Sequence, residues 1–105
     1  VLSVLSWLSP PGAGGYSTSK SAQWGLTNGL RGELREQNTL VIGVHPAYID
    51  TDMVAEVQAP KSTPQDVVAL TLQALSEDRE EVLITEMTLA VKASLSSDSP
   101  VYLNR

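Results

Sequence analysis

The chain contains no cysteine. That excludes disulfides, thiolate catalysis and any cysteine-ligated metal. A single histidine, His45, rules out a zinc cluster built from imidazoles. Basic residues are also few, 7 against 12 acidic ones, for a net charge of −5. Such a balance argues against a nucleic-acid or anionic-membrane partner, and neither is expected. Long apolar runs are missing as well. The opening run, Val1 to Leu8, is too short to span a bilayer and has no basic stretch of the kind a secretory signal carries. The expected location is the cytoplasm.

What is present is enough for one small domain: 105 residues, 42 % of them apolar. The chain is organised around Tyr16-Ser17-Thr18-Ser19-Lys20. In a helix, Tyr16 and Lys20 fall on one face, a turn apart. A nearby ammonium favours the phenolate form of a phenol, which makes the pair a usable proton donor and acceptor. Surface pairs of this kind also arise by chance, so the setting decides.

Upstream, Val1 to Leu5 reads as a short buried parallel strand. The Pro-Pro-Gly-Ala-Gly-Gly stretch within Ser9 to Gly15 is a loop. A helix is expected from Tyr16 to Glu36. Its apolar stripe is Leu26, Leu30 and Leu34, and a second stripe of small residues is Ser17, Ser21, Gly25 and Gly29. Glycine is costly inside a helix, so that second line marks close packing on this chain or on another subunit. Asn38 is a helix cap. Thr39 to Val44 is the second strand, and a right-handed parallel crossover joins it to the first. Thr63-Pro64-Gln65-Asp66 opens another helix, with a cap, a first-turn proline and an acid at the capping-box position. Val67, Val68, Leu70, Leu72, Ala74 and Leu75 are its expected buried side. Asp78 to Glu80 is a turn, Glu81 to Ile84 a third strand, and Glu86 to Leu95 a last helix. Ser96 to Arg105 reads as a loose tail.

A strand with Ser3 thirteen positions before Tyr16, a helix opening with Tyr-Ser-x-Ser-Lys, and a strand ending in Pro46-Ala47-x-Ile49-x-Thr51 resemble the short-chain dehydrogenase/reductase family. The resemblance runs from about Val1 to Leu83. It implies an α/β fold, the C-terminal part of a doubly wound, Rossmann-like parallel sheet in β-α-β-α-β order. Residues 1–84 then form the C-terminal half of a dinucleotide-binding catalytic domain, and residues 85–105 the final helix and tail. The family's glycine-rich phosphate turn is not found here: Gly12, Gly14 and Gly15 follow the wrong strand. The chain alone is therefore not expected to bind a dinucleotide tightly.

The same resemblance implies an NAD(P)-dependent oxidoreductase that interconverts a small-molecule carbonyl and a secondary alcohol. Tyr16 matches the general acid/base. Lys20 matches the lysine that assists it and holds the nicotinamide ribose. Ser3 matches the serine that hydrogen-bonds the substrate carbonyl, with Ser6 as its rival at a less usual spacing. Pro46, Ile49 and Thr51 match the cofactor loop, where this chain has Pro46-Ala47 in place of the usual Pro-Gly. Trp7, Tyr48 and Met53 flank the expected substrate position. For Trp7 and Met53, plain core packing is the competing reading. His45 is read as a strand-end residue, and Asp50 with Asp52 as a pair too small to hold a metal. Family members commonly form homo-oligomers through the helix matching 16–36. Two alternatives stay open: an epimerase or dehydratase of the extended type, and a non-catalytic interaction module or fragment.

Overall fold

A computed structural model describes residues 1–47 and 62–103. Helix α1 spans Gly14–Leu34, strand β1 Gly43–His45, helix α2 Pro64–Ser76, strand β2 Glu81–Leu83 and helix α3 Glu86–Ser94. The two strands pair in parallel, with Gly43 opposite Glu81, Val44 opposite Val82 and His45 opposite Leu83. Side chains alternate across them, as the pleat requires. Val44 and Val82 pack on Val67 and Ala74 of α2, with Ile42, Leu70 and Ile84 around them. Leu83 packs the other way, into a cluster with Val4, Trp7, Trp24 and Val91. The strands are thus covered by α2 on one side and by α1 and α3 on the other, the layering of an α/β fold.

The expected first strand, Val1 to Leu5, does not form a full strand; among the described residues the sheet is two-stranded, β1 beside β2, and the segment only borders it. The Leu2 N–H donates to the Val44 carbonyl at 2.7 Å and the Val4 N–H to the Pro46 carbonyl at 2.9 Å. That is a parallel pairing pattern along the free side of β1. At Val4 the chain leaves it for a single 3₁₀ turn, Val4–Ser6. The cause is Ser3, whose Oγ accepts from the Leu5 N–H while its own backbone is still extended. The second strand is also shorter than the expected Thr39 to Val44. Asn38 caps the preceding turn in the left-handed region, at φ 56° and ψ 35°, as expected. The Thr39 N–H still bonds back to Leu34, and the Val41 carbonyl accepts from Arg31 Nε. Those backbone groups are used by α1, not by β2.

Helix α1 begins two residues before Tyr16, and its last turn, Arg35–Gln37, tightens to 3₁₀. Helix α2 starts as read, with Thr63 Oγ1 accepting from the Asp66 N–H and Pro64 in its first turn. Its expected buried side is only partly buried. Val67 and Ala74 are covered, whereas Val68, Leu72 and Leu75 are 57 %, 59 % and 54 % exposed. Two three-residue strands offer too little surface to cover the rest of the helix. On α1 the apolar stripe is likewise uncovered at Leu26, which is 63 % exposed. The expected loose tail is anchored through residue 103. Pro100 is buried, the Val101 N–H donates to Ser94 Oγ, and Val101 packs into the second cluster.

Arg31 fastens α1 to both strands. Its Nε donates to Val41, its Nη2 to the Glu80 carbonyl at 2.6 Å and its Nη1 to Asn28. Space for it comes from Gly43, where a Cβ would stand 3.1 Å from Arg31 Nη2 and 3.1 Å from His45 Nε2. Both neighbours are held, the one by hydrogen bonds and the other by stacking on Trp7. Gly43→Ala in the protein that carries this chain is therefore expected to cost about 1–3 kcal/mol of stability, the usual penalty of overpacking. Chemical unfolding, read as a shift in the midpoint, checks it.

Candidate functional site

The site is built where the segment Val1–Leu8 lies against the first turns of α1. Hydroxyl groups hold the two together. Ser17 Oγ donates to the Leu8 carbonyl at 3.2 Å, Ser21 Oγ to the Ser6 carbonyl at 2.7 Å, and Ser6 Oγ to the Lys20 carbonyl at 3.2 Å. Small side chains at 17 and 21 let the segment approach the helix this closely. The small-residue stripe therefore divides. Its first half packs on the chain itself, while a Cβ at Gly25 or Gly29 would meet nothing within 4 Å.

Tyr16 and Lys20 stand together. The Lys20 ammonium lies over the Tyr16 ring, 5.6 Å from its centroid, within cation–π range. Its Nζ also donates to the Val1 carbonyl at 3.3 Å. The tyrosine remains 46 % exposed. Ser3 is buried on the same Val1–Leu8 segment, and its Oγ accepts from Leu5. Ser6 is buried too, but its hydroxyl proton is committed to Lys20. Pro46 is buried at the end of β1, and its carbonyl ties it to Val4. The Ser3 segment and the start of the expected cofactor loop therefore lie side by side. Tyr48, Ile49, Thr51 and Met53 fall outside the described residues, as do Asp50 and Asp52.

Trp7 is 6 % exposed and belongs to the core, yet it also borders a groove of about 530 Å³. Ser6, Leu8, Gly14, Thr18 and Tyr102 line the groove with it, and Tyr16 and Lys20 do not. The groove therefore opens on a different face of α1 from the tyrosine–lysine pair. Tyr102 has no sequence signal, because it reaches the groove only through the anchoring of Val101. Arg31 carries no signal either: a lysine or arginine on a helix ordinarily reads as solvated.

His45 is fully buried and stacks on Trp7, with ring centroids 4.5 Å apart. Burial pushes its imidazole down from the ordinary 6.5 to about 4; Glu81 opposes the shift, while Lys92 and Arg31 add to it. Among the described residues no group of three or more potential metal ligands occurs, and no helix is long and apolar enough to cross a membrane.

With this geometry in place, the comparisons are consistent with one another. The family model for short chain dehydrogenases matches residues 1–62. The chain belongs to the short-chain dehydrogenase family. It is similar to the 3-oxoacyl-[acyl-carrier-protein] reductase FabG of Aquifex aeolicus (strain VF5), 40 % identical over 55 residues. That match covers 52 % of this chain and 22 % of the reductase. The fold matches the crystal structure of a short chain dehydrogenase from Burkholderia cenocepacia J2315 in complex with NADP, with a TM-score of 0.84 and 34 % identity. That match takes in 92 % of this chain and 41 % of the neighbour. The chain thus spans well under half the length of either protein.

The two serines are separable by experiment. Ser6→Ala removes a hydroxyl that bridges the segment to the helix backbone, so it is expected to cost about 1 kcal/mol of stability. Denaturant unfolding of the protein that carries this chain reads the effect. A midpoint unchanged from wild type contradicts the bridging role.

Proposed function

We propose that the protein carrying this chain is a cytoplasmic NAD(P)-dependent oxidoreductase that interconverts a small-molecule carbonyl and a secondary alcohol, with Tyr16 as general acid/base. The observation that carries this reading is one turn of α1, which presents Tyr16 and Lys20 side by side against the segment holding Ser3. Family membership and the NADP bound to the structural neighbour support the reaction class and the cofactor.

The residues present fit a nicotinamide ribose. Tyr16 is half exposed, and an ammonium has three N–H donors, of which the Val1 carbonyl takes one among the described residues. When bound, the nicotinamide supplies or accepts the hydride. The chain's own groups handle the oxygen and its proton. In reduction, Tyr16 gives its proton to the substrate oxygen as charge develops there; in oxidation it takes the proton back. Lys20, placed over the Tyr16 ring, donates to ribose hydroxyls. Ser3 donates its hydroxyl hydrogen to the substrate oxygen and steadies the same charge. Its Oγ lone pair already caps Leu5, which fixes the hydroxyl in place. Ser6 is the weaker choice for this task, its proton being held by Lys20. Pro46, Ile49 and Thr51 are assigned to the cofactor, and Tyr48 and Met53 to the substrate body; for Trp7 the core-packing reading is kept, since it is buried and its groove opens away from Tyr16 and Lys20. A homo-oligomer through α1 is the assigned assembly. Gly25 and Gly29, with nothing within 4 Å of a Cβ there among the described residues, leave room for it.

Two substitutions test the assignment in the protein that carries this chain. Tyr16→Phe is expected to lower kcat by about 10²–10⁴, the usual worth of general acid catalysis, with the dissociation constant for NADPH little changed. Retention of most of the wild-type kcat at neutral pH contradicts the role. Lys20→Ala is expected to lower kcat and weaken NADPH binding together, because it serves both the tyrosine and the ribose. Calorimetric titration reads the second effect, and an unchanged dissociation constant removes the ribose contact.

A further inference from the structure

His45 is a buried titratable group that the proposed chemistry does not use. It is 0 % exposed, and its ring lies 18° from parallel with that of Trp7. Trp7 meets Trp24 edge to face at 5.9 Å. Both imidazole nitrogens and both indole nitrogens are buried with no hydrogen-bond partner among the described residues. A phenylalanine at 45 would fill the same layer without unpaired nitrogens, so packing alone does not explain the residue. The charged groups around it come from every element packed against it. Glu81 lies on β2, Lys92 on α3 and Arg31 on α1. Glu81 is already paired with Lys92. Arg31 is close as well, since one Cβ at Gly43 would touch both its Nη2 and His45 Nε2. An added positive charge at His45 therefore meets a guanidinium and the face of Trp7, against a carboxylate already shared with Lys92, with no hydrogen-bond acceptor on either ring nitrogen among the described residues.

We infer that His45 is an acid-responsive latch on the Val1–Leu8 segment: neutral, it holds Trp7 in the core, and protonated, it releases the segment that carries Ser3. The consequence reaches the site, because the same segment bonds Lys20 through Ser6 and Val1. The inference stands apart from the oxidoreductase assignment and concerns packing alone. The sign follows from linkage. Burial holds the folded imidazole at about 4, below the ordinary 6.5. The unfolded chain then binds a proton that the folded chain refuses. The stability from this residue is complete above about 6.5, declines as pH falls from there to about 4, and is level below.

The test compares wild type with His45→Phe in the protein that carries this chain, by denaturant unfolding followed through tryptophan fluorescence. Other titrating groups cancel in the ratio of the two unfolding constants. Between about pH 6.5 and about 4 that ratio is expected to change by up to about tenfold per pH unit, the limit for one proton. A ratio constant over that range overturns the latch. Should His45→Phe fail to fold, the wild-type protein decides alone. The His45 imidazole resonances are expected to titrate well below 6.5, with the Trp7 fluorescence changing at the same pH. A His45 that titrates near 6.5, or one that titrates with no fluorescence change, overturns the inference.

Discussion

The contact on which the rest depends is the docking of the Val1–Leu8 segment onto α1. It is made by hydroxyls bonded to backbone carbonyls and by the edge-to-face contact of Trp7 with Trp24 of α1. Ser17, Ser21 and Ser6 each contribute one bond across the seam, and Lys20 adds a fourth through the Val1 carbonyl. Each is individually modest, about 0.5–1.5 kcal/mol net. Together they fix the angle at which the helix leaves the segment. That angle sets where Tyr16 stands relative to Ser3. Directional bonds suit this purpose better than apolar packing, which tolerates sliding.

Beside the polar seam the restraint is aromatic. Trp7 is wedged between Trp24 and His45, and Val4, Leu5 and Leu8 pack beside it. One short stretch thus meets α1 through a polar seam and through Trp24, and meets β1 through His45. The 3₁₀ turn Val4–Ser6 makes this possible, because a straight strand would alternate its side chains between only two faces. The turn rotates Ser6 onto the helix and Trp7 into the core. The same side-chain oxygen that ends the strand, Ser3 Oγ, belongs to the residue assigned to the substrate carbonyl.

Much of this was legible from the residues. The layered α/β order, the caps at Asn38 and Thr63, and the placing of Tyr16 and Lys20 on one face follow from spacing and turn chemistry alone. Strand length was not legible. The apolar runs Val1 to Leu5 and Thr39 to Val44 carry the hydropathy of strands. In the fold, a serine cap shortens the first and an arginine on a neighbouring helix takes backbone acceptors from the second. Both effects are tertiary, and local propensity is silent on them. His45 is the strand-end residue read from the sequence, the last of β1, but its burial and its stack on Trp7 are tertiary and leave no mark in the sequence. Apolar faces were overcounted on α2, where Val68, Leu72 and Leu75 match a buried periodicity yet meet solvent in this chain.

The bond from the Leu2 N–H to the Val44 carbonyl has a kinetic meaning. It closes a loop that contains the whole of α1. Loop-closure entropy must be met before any such non-local pairing repays it. A 21-residue helix inside the loop changes that cost, because it carries the chain across most of the gap as a rigid rod. Helices form in under about a microsecond, well before parallel strands pair. The order of events then follows from geometry. The helix comes first, its serines collect the N-terminal segment, and β1 finds its neighbour already laid out.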